Sequence, residues 1–212
     1  MGQQRGWRIG GCTAWVSVIW VASAIAQAPG PRSWALATFR DSSTGISFRY
    51  PAAFQPVEDV KGYFSPALTQ IKGPIAFRVK LAFRPPPTPG TDEATTDLGQ
   101  LSFVYATLPV SSETACRKQV EGWGEDSDKV ETLNVDGVEF AVGQVSDAGL
   151  SHFVRGEIYA AFRGRTCYLF EEDTIGLDGY AGDVKEAQWK QFDRHLSAII
   201  RTVRFPVLRL SD

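Results

Sequence analysis

The chain has 212 residues, of which 43% are hydrophobic and 22% are charged, and its formal net charge is −2 at pH 7. This length and apolar content suit one globular domain with a sizeable core. The slight excess of acidic residues argues against nucleic acid or anionic lipid as the main partner.

The N-terminus has the pattern of an export signal. Arg5 and Arg8 give it a positive start, residues 12–26 form an uncharged and mostly apolar run, and residues 24–26 (AIA) offer a small-x-small cleavage site. The run is short for a transmembrane helix, which needs about 20 apolar residues. An uncleaved membrane anchor is the alternative to a cleaved signal.

These features predict the domain organisation. We expect a secretory signal peptide over residues 1–26, a flexible leader over 27–37 and a single domain over 38–212. The mature protein is then periplasmic or secreted, with no membrane span after cleavage.

Strands dominate the first half of the domain. Thr38–Arg40 and Ile46–Tyr50 flank a cluster of turn-forming residues and predict a hairpin. Ile75–Arg84 alternates strictly, which predicts a strand with the apolar residues from Ile75 to Phe83 on one face. Leu101–Leu108 predicts the next strand.

We predict a helix next, because Ser111 or Ser112 can cap its N-terminus. The acidic residue after them suits the positive end of the helix dipole. Cys116, Val120 and Trp123 then share one side at i, i+4 and i+7 spacing.

The second half predicts a four-stranded meander, an acidic loop over 173–183 and a last helix over 185–201. The meander strands are residues 129–135, 138–145, 152–162 and 166–172. This order of elements predicts an α+β fold, in which helices cover a mostly antiparallel central sheet.

The start and the end of the domain resemble the PsbP/Mog-like family. Residues 39–54 carry a hairpin with the turn glycine Gly45, the pair Tyr50-Pro51, and Phe54; residues 192–205 look like the family's final helix and short apolar strand. The resemblance implies an α-β-α sandwich. Family members include an extrinsic photosystem subunit and a Ran-binding import factor, and no functional residue of either can be matched to a position here.

Two cysteines remain after signal cleavage. Cys116 lies on the apolar side of a predicted helix, and Cys167 lies on a predicted strand that this helix can cover. Because exported chains favour bonded cysteines, we predict a structural disulfide. A redox-active pair is the alternative, but the pair lacks the Cys-x-x-Cys spacing that tunes thiol acidity.

An acidic group near residue 175 raises the question of a metal. Its spacing lacks the alternating oxygen ligands of a calcium loop, so we predict a solvated loop and no metal site. Its members are Glu171, Glu172, Asp173, Asp178, Asp183 and Glu186.

The sequence offers no catalytic or cofactor motif. His152 and His195 are the only histidines, and nothing in the sequence pairs either of them with a nucleophile or a carboxylate. Nucleophile elbows, zinc-protease motifs and phosphate-binding glycine loops do not occur in it. We predict no catalytic residues and no cofactor.

The leading functional hypothesis is an exported, non-catalytic binding or accessory module of the cell envelope, whose partner the sequence does not name. One alternative is a hydrolase with a dispersed site of carboxylates or histidine. Another is a carrier of an apolar small molecule held between sheet and helix.

Overall fold

The computed structural model describes residues 35–57, 66–83, 98–123, 129–148, 152–177 and 186–206. Among these residues, no helix is long and apolar enough to cross a membrane. The elements in chain order are β1 (Leu36–Arg40), β2 (Ser47–Pro51), β3 (Gln55–Pro56), α1 (Pro66–Gln70), β4 (Ala76–Phe83), β5 (Leu98–Pro109), α2 (Glu113–Arg117), a 3₁₀ turn (Lys118–Val120), β6 (Glu131–Val135), β7 (Val138–Ala148), β8 (His152–Arg163), β9 (Thr166–Leu177) and α3 (Glu186–Ile200).

Within the described ranges, strands β3 to β9 form one antiparallel sheet in the order β3-β4-β5-β9-β8-β7-β6, and β1 and β2 pair with each other. Asp136 and Gly137 connect β6 to β7 with φ of 56° and 76°. Such left-handed residues match the twist of a hairpin, and Gly164 and Arg165 connect β8 to β9 in the same way. The predicted meander is therefore confirmed.

The sheet has an apolar core on each face. On the first face, α3 and the β1–β2 hairpin pack over aromatic residues of the strands, among them Phe103 and Phe170. On the second face, α1 and α2 pack over Val104, Ile158 and Leu169. Helices cover both faces of a mostly antiparallel sheet, which confirms the predicted α+β class.

The prediction for β4 is wrong in one respect. The register of its pairing with β5 shifts between Phe77 and Val79. Because a β-bulge inserts an extra residue, Phe77 packs with the second core, whereas Val79 and Leu81 pack with the first. A single apolar face along this strand does not exist.

The predicted acidic loop is also wrong at its start. β9 does not end at Glu172 but continues to Leu177, which pairs with His152 of β8. Glu171, Glu172 and Asp173 are consequently buried within a strand. β9 lies between β5 and β8 in the sheet, and α1 on one face and α3 on the other cover the part of the strand that carries these three residues.

Two short elements, β3 and α1, are not among those predicted from the sequence. β3 pairs with β4 at the edge of the sheet, a position where a proline costs no ladder hydrogen bond. α1 buries Ala67 and Leu68 on the second face.

α2 lies close to the sheet. The disulfide Cys116–Cys167 joins it to β9, with the two Cα atoms 5.3 Å apart. The turn that follows approaches β7 so closely that the Val120 carbonyl occupies the place of a Cβ at Gly143. Only glycine accepts such an approach of two backbones.

Candidate ligand-binding cleft

A cleft of about 430 Å³ lies on the first face of the sheet, between α3 and strands β7, β8 and β9. We call it the α3 cleft. Its polar lining includes Gln144, Arg155, Glu157, Glu172, Asp193 and Ser197.

Strand register brings these side chains together. Glu157 lies directly opposite Gln144 of β7 and Glu172 of β9. Because alternate residues of a strand share a face, Arg155 and Tyr159 lie on the same side as Glu157. Asp193 and Ser197 are four residues apart, so both reach the cleft from one face of α3.

Four of these side chains, Gln144, Glu157, Glu172 and Ser197, join Tyr159 in a hydrogen-bonded chain. The Tyr159 hydroxyl contacts Glu157 Oε2 and also lies 3.0 Å from Glu172 Oε1. Gln144 Nε2 donates to Glu157 Oε1 over 3.0 Å. Ser197 Oγ lies 3.2 Å from Glu172 Oε1 and donates to the Asp193 carbonyl over 2.8 Å.

The number of protons shared by Glu157, Tyr159 and Glu172, together with the pKa of Glu172, determines which of these groups is charged. A phenol carries one proton and cannot donate to two carboxylates at once. Burial, reinforced by the negative charge of Glu157, raises the pKa of Glu172 from its ordinary value of 4.5 to about 8. At neutral pH Glu172 is therefore a neutral acid that donates to Tyr159, while Tyr159 donates to the Glu157 carboxylate.

One carboxyl oxygen of this group receives no hydrogen bond from the described residues. Glu172 is 4% exposed, and among the described residues its Oε2 has no hydrogen-bond partner. A buried acceptor without a donor is unfavourable, by about 1–3 kcal/mol. The described residues therefore leave this oxygen as an unsatisfied acceptor, which is itself enclosed and exposes almost no surface to the cleft.

An ion pair borders the cleft. Arg155 Nη2 lies 2.6 Å from Asp193 Oδ2 and thus ties β8 to α3. Both side chains are nearly half exposed, so the pair contributes little stability.

A second polar group lies on the opposite face of β9. Glu171 accepts hydrogen bonds from the backbone N–H groups of Ala67 and Leu68, at 3.1 and 2.9 Å. Burial and the charge of Glu171 raise the pKa of Asp173, which receives a hydrogen bond of 3.2 Å from Ser102. This group attaches α1 to the sheet and does not line the α3 cleft.

Of the remaining candidate residues from the sequence, the structure describes the side chain of His195 alone. His195 lies on α3, where burial and then the charge of Arg194 lower its pKa; His152 begins β8, and its side chain lies outside the described part. Asp178 and Asp183 also lie outside the described residues, as does the side chain of Glu186. Where the chain is described, no three metal-ligating side chains converge.

Sequence reasoning noticed Glu172 but missed its partners. The only signal was the run of polar residues at alternate positions of β8, from Arg155 to Tyr159. On α3, Asp193 and Ser197 gave a matching i, i+4 pair. Nothing in the sequence aligned these two patterns, because the pairing of β8 with β9 and the docking of α3 bring them together.

Neither a protein-family model nor a curated protein matches the chain. Solved structures do resemble it. The cyanobacterial PsbP (CyanoP) of Synechocystis sp. PCC 6803 has a TM-score of 0.44 and 16% identity, covering 86% of this chain and 99% of its own.

Two further structures give similar values. LpqN, involved in cell envelope biogenesis of Mycobacterium tuberculosis, has a TM-score of 0.42 and 11% identity, covering 81% of this chain and 91% of its own. A protein from Bacteroides thetaiotaomicron has a TM-score of 0.42 and 12% identity over 81% of this chain, which spans only 48% of that protein. The predicted PsbP-like resemblance is confirmed as a loose likeness of fold alone.

Proposed function

We propose that this chain is an exported, non-catalytic accessory protein of the cell envelope that binds a small polar ligand in the α3 cleft. The observation that carries the proposal is a cleft of about 430 Å³ whose lining brings together polar side chains from β7, β8 and α3, among them Gln144, Glu157 and Asp193. Ligand sites commonly combine a cavity of this size with a few convergent polar groups.

Export is supported by the signal pattern of residues 1–26 and by the proximity of Cys116 and Cys167, since disulfides persist in oxidising compartments. We expect mass spectrometry of protein from the envelope fraction to show a mature chain beginning at Gln27 with no free thiol. An intact Met1 on protein that fractionates with the cytosol would contradict export.

Binding is tested by NMR titration of the purified protein with glucose, ethylene glycol, glycine and ethanolamine. At least one probe should shift the backbone amides of the strands that line the cleft. Gln144→Ala removes a donor in the cleft and should weaken that response several-fold, whereas Asn134→Ala on β6 serves as the exposed control. If no probe perturbs these amides, the proposal fails.

A hydrolase is the second candidate, favoured by one observation. A neutral acid (Glu172) and a carboxylate (Glu157) bond to the same hydroxyl, and such paired carboxyl groups can serve as general acid and base. Turnover of chromogenic esters or glycosides that disappears in Glu157→Gln would establish catalysis in place of binding.

The carrier alternative receives no support from the cleft. An apolar ligand there would cover polar side chains, among them Glu157 and Gln144, without forming hydrogen bonds to them in place of water.

A further inference from the structure

We propose that the protein docks on an anionic membrane surface through the outward side of its first hairpin. This inference concerns a different part of the molecule from the α3 cleft and does not depend on the ligand proposed there. We call this surface the hairpin face. Its members are Leu36, Thr38, Arg40, Ser47, Arg49 and Arg204. None of them lines the cleft.

Strand register places three arginines side by side on this surface. In the β1–β2 pair, Arg40 lies opposite Ser47. Thr38, two residues earlier on β1, lies opposite Arg49. The chain after α3 then pairs with β2, because Ser47 and Arg204 exchange backbone hydrogen bonds of 3.1 and 2.8 Å. Since directly opposite residues of antiparallel strands share a face, Arg40, Arg49 and Arg204 lie on one side of this small layer.

The alternate residues show which way this side faces. Phe39 and Phe48 pack into the first core, with ring centroids 4.9 Å apart. The arginines between such residues therefore point outward, and all three are exposed. Within the described ranges, the guanidinium groups of Arg40 and Arg49 bond to no other side chain. Arg204 Nε lies 3.6 Å from Asp136 Oδ1, so this arginine is partly neutralised.

The charge of this surface differs from that of the chain as a whole, whose net charge is −2. β1, β2 and residues 201–206 together contain four arginines and no acidic residue. Asp41, which follows β1, has a side chain that is 9% exposed and bonds to Ser43 and Thr44. A net acidic chain argues against an anionic partner only if its charge is evenly spread, and here the cations are collected on one face.

The hairpin face also carries an apolar side chain. Of the large apolar residues in the described ranges, Leu36 alone is exposed, at 55%. It shares the outward side with Thr38 and Arg40, because the three alternate along β1. Segments that bind at the surface of a bilayer combine apolar side chains, which enter the interface, with Lys and Arg, which attract anionic lipids. This combination favours a membrane over a soluble acidic partner.

The position of the hairpin in the chain gives the same indication. Residues 27–35 separate the predicted signal from Leu36, where β1 begins. A segment of about nine residues reaches at most about 30 Å when it is extended. While the signal or an uncleaved anchor is attached, the hairpin face is therefore within this distance of the bilayer.

Vesicle sedimentation tests the inference. The exported chain, purified from the envelope fraction, is mixed with vesicles of phosphatidylcholine or with vesicles in which about one third of the lipid is phosphatidylglycerol. We expect it to bind the anionic vesicles at least about tenfold more tightly than the neutral ones and to be released as the salt concentration rises. Equal binding to both kinds of vesicle, or binding to neither, would overturn the inference.

Matched charge variants locate the surface. The double variant Arg40→Gln, Arg49→Gln should bind the anionic vesicles at least about tenfold more weakly, because each arginine near an anionic bilayer contributes to binding. The control Lys72→Gln, Lys118→Gln removes the same charge from exposed positions beside α1 and α2, which cover the second face. Its binding should change less than about twofold. Equal losses in the two double variants would show a general charge effect and refute the docking surface.

Two further measurements do not depend on removing charge. Leu36→Ser should weaken binding several-fold while leaving the salt dependence unchanged. In anionic nanodiscs that contain a gadolinium lipid, the backbone amides of Thr38 and Arg49 should broaden, whereas the amide of Lys118 should not. This comparison within one molecule applies equally to a chain that keeps an N-terminal anchor. Equal broadening of all three amides would contradict docking through the hairpin face.

The remaining outcomes separate a membrane from an acidic protein. Poly-glutamate is the probe for the latter. If it binds the wild type more tightly than the Arg40→Gln, Arg49→Gln variant while anionic vesicles do not bind, the partner is an acidic protein and the membrane inference is wrong. None of these measurements involves the α3 cleft, so failure of the inference leaves the proposed ligand binding standing.

Discussion

At the scale of single residues, Glu172 shows how position in a sheet sets acidity. Its neighbours in sequence, Glu171 and Asp173, point to the other face of β9, where backbone N–H groups and Ser102 bond to them. Glu172 instead faces Glu157 and Tyr159 and remains protonated. Three adjacent acidic residues therefore have different partners, because alternate residues of a strand face opposite sides.

The raised pKa of Glu172 predicts how stability depends on pH. The folded state holds a proton up to about pH 8, whereas the unfolded chain loses it near pH 4.5. The contribution of protonated Glu172 to the free energy of unfolding is thus fully present below pH 4.5. This contribution is lost as the pH rises through 8, and the loss amounts to at most about 5 kcal/mol. Asp173, whose pKa is also raised, contributes with the same sign.

Urea unfolding of the wild type between pH 4.5 and 9 measures this slope. Glu172→Gln should flatten it and should be the more stable protein at pH 9. Glu131→Gln on β6 is the exposed control and should keep the wild-type slope. Equal slopes for the wild type and Glu172→Gln would show that Glu172 titrates normally.

The cap of α2 gives a second prediction. The sequence allowed either Ser111 or Ser112, and the structure selects Ser112, whose Oγ accepts from the Ala115 N–H at 3.2 Å. Ser112→Ala should lower the free energy of unfolding by about 1 kcal/mol in a denaturant titration. Ser111→Ala is the matched control and should change it by less than about 0.5 kcal/mol.

At the scale of elements, α1 depends on β9. The helix has five residues, too short to be stable alone, and two of its N–H groups donate to Glu171. The Glu171 side chain is fully buried, and its two hydrogen bonds to backbone N–H groups attach this helix to the sheet.

We predict that Glu171→Gln weakens this attachment. The amide keeps one acceptor oxygen and brings a donor where an acceptor is needed, so stability should fall by about 1–3 kcal/mol. Hydrogen exchange should show faster exchange of the Ala67 and Leu68 amides. Glu139→Gln on the exposed side of β7 is the control, and unchanged protection in Glu171→Gln would refute the role of Glu171.

At the scale of the whole molecule, the disulfide Cys116–Cys167 links two distant parts of the chain. The cysteines are 51 residues apart, and the bond connects α2 to the central strand β9. Closing a loop of this length removes entropy from the unfolded chain, which the chain-entropy model places at about 4 kcal/mol.

We therefore expect reduction to lower the unfolding midpoint markedly. Chemical denaturation with and without a reductant measures the difference, and mass spectrometry after alkylation counts the thiols. The double variant Cys116→Ala, Cys167→Ala should be as unstable as the reduced wild type and insensitive to reductant. A wild type that ignores the reductant would contradict the prediction.

Local signals predicted most of the fold correctly. The pair Asp136-Gly137 defined a hairpin because its backbone conformation is available to few residues. The last helix and the strands β5 and β8 were also predicted from residues that are close together along the chain. The prediction was wrong where the backbone conformation depends on a neighbouring strand. The bulge between Phe77 and Val79 is an example, because it depends on how β4 pairs with β5.

The sequence by itself determined the α+β class, the meander and the export pattern, because each depends on residues that are close together along the chain. Only the tertiary structure decided that Glu171, Glu172 and Asp173 are enclosed and that Glu157, Tyr159 and Glu172 share hydrogen bonds. The physical reason is the position of β9 in the fold. β9 lies between β5 and β8, with α1 on one face and α3 on the other, and this removes its carboxyl groups from water. Burial together with a neighbouring charge then keeps Glu172 protonated.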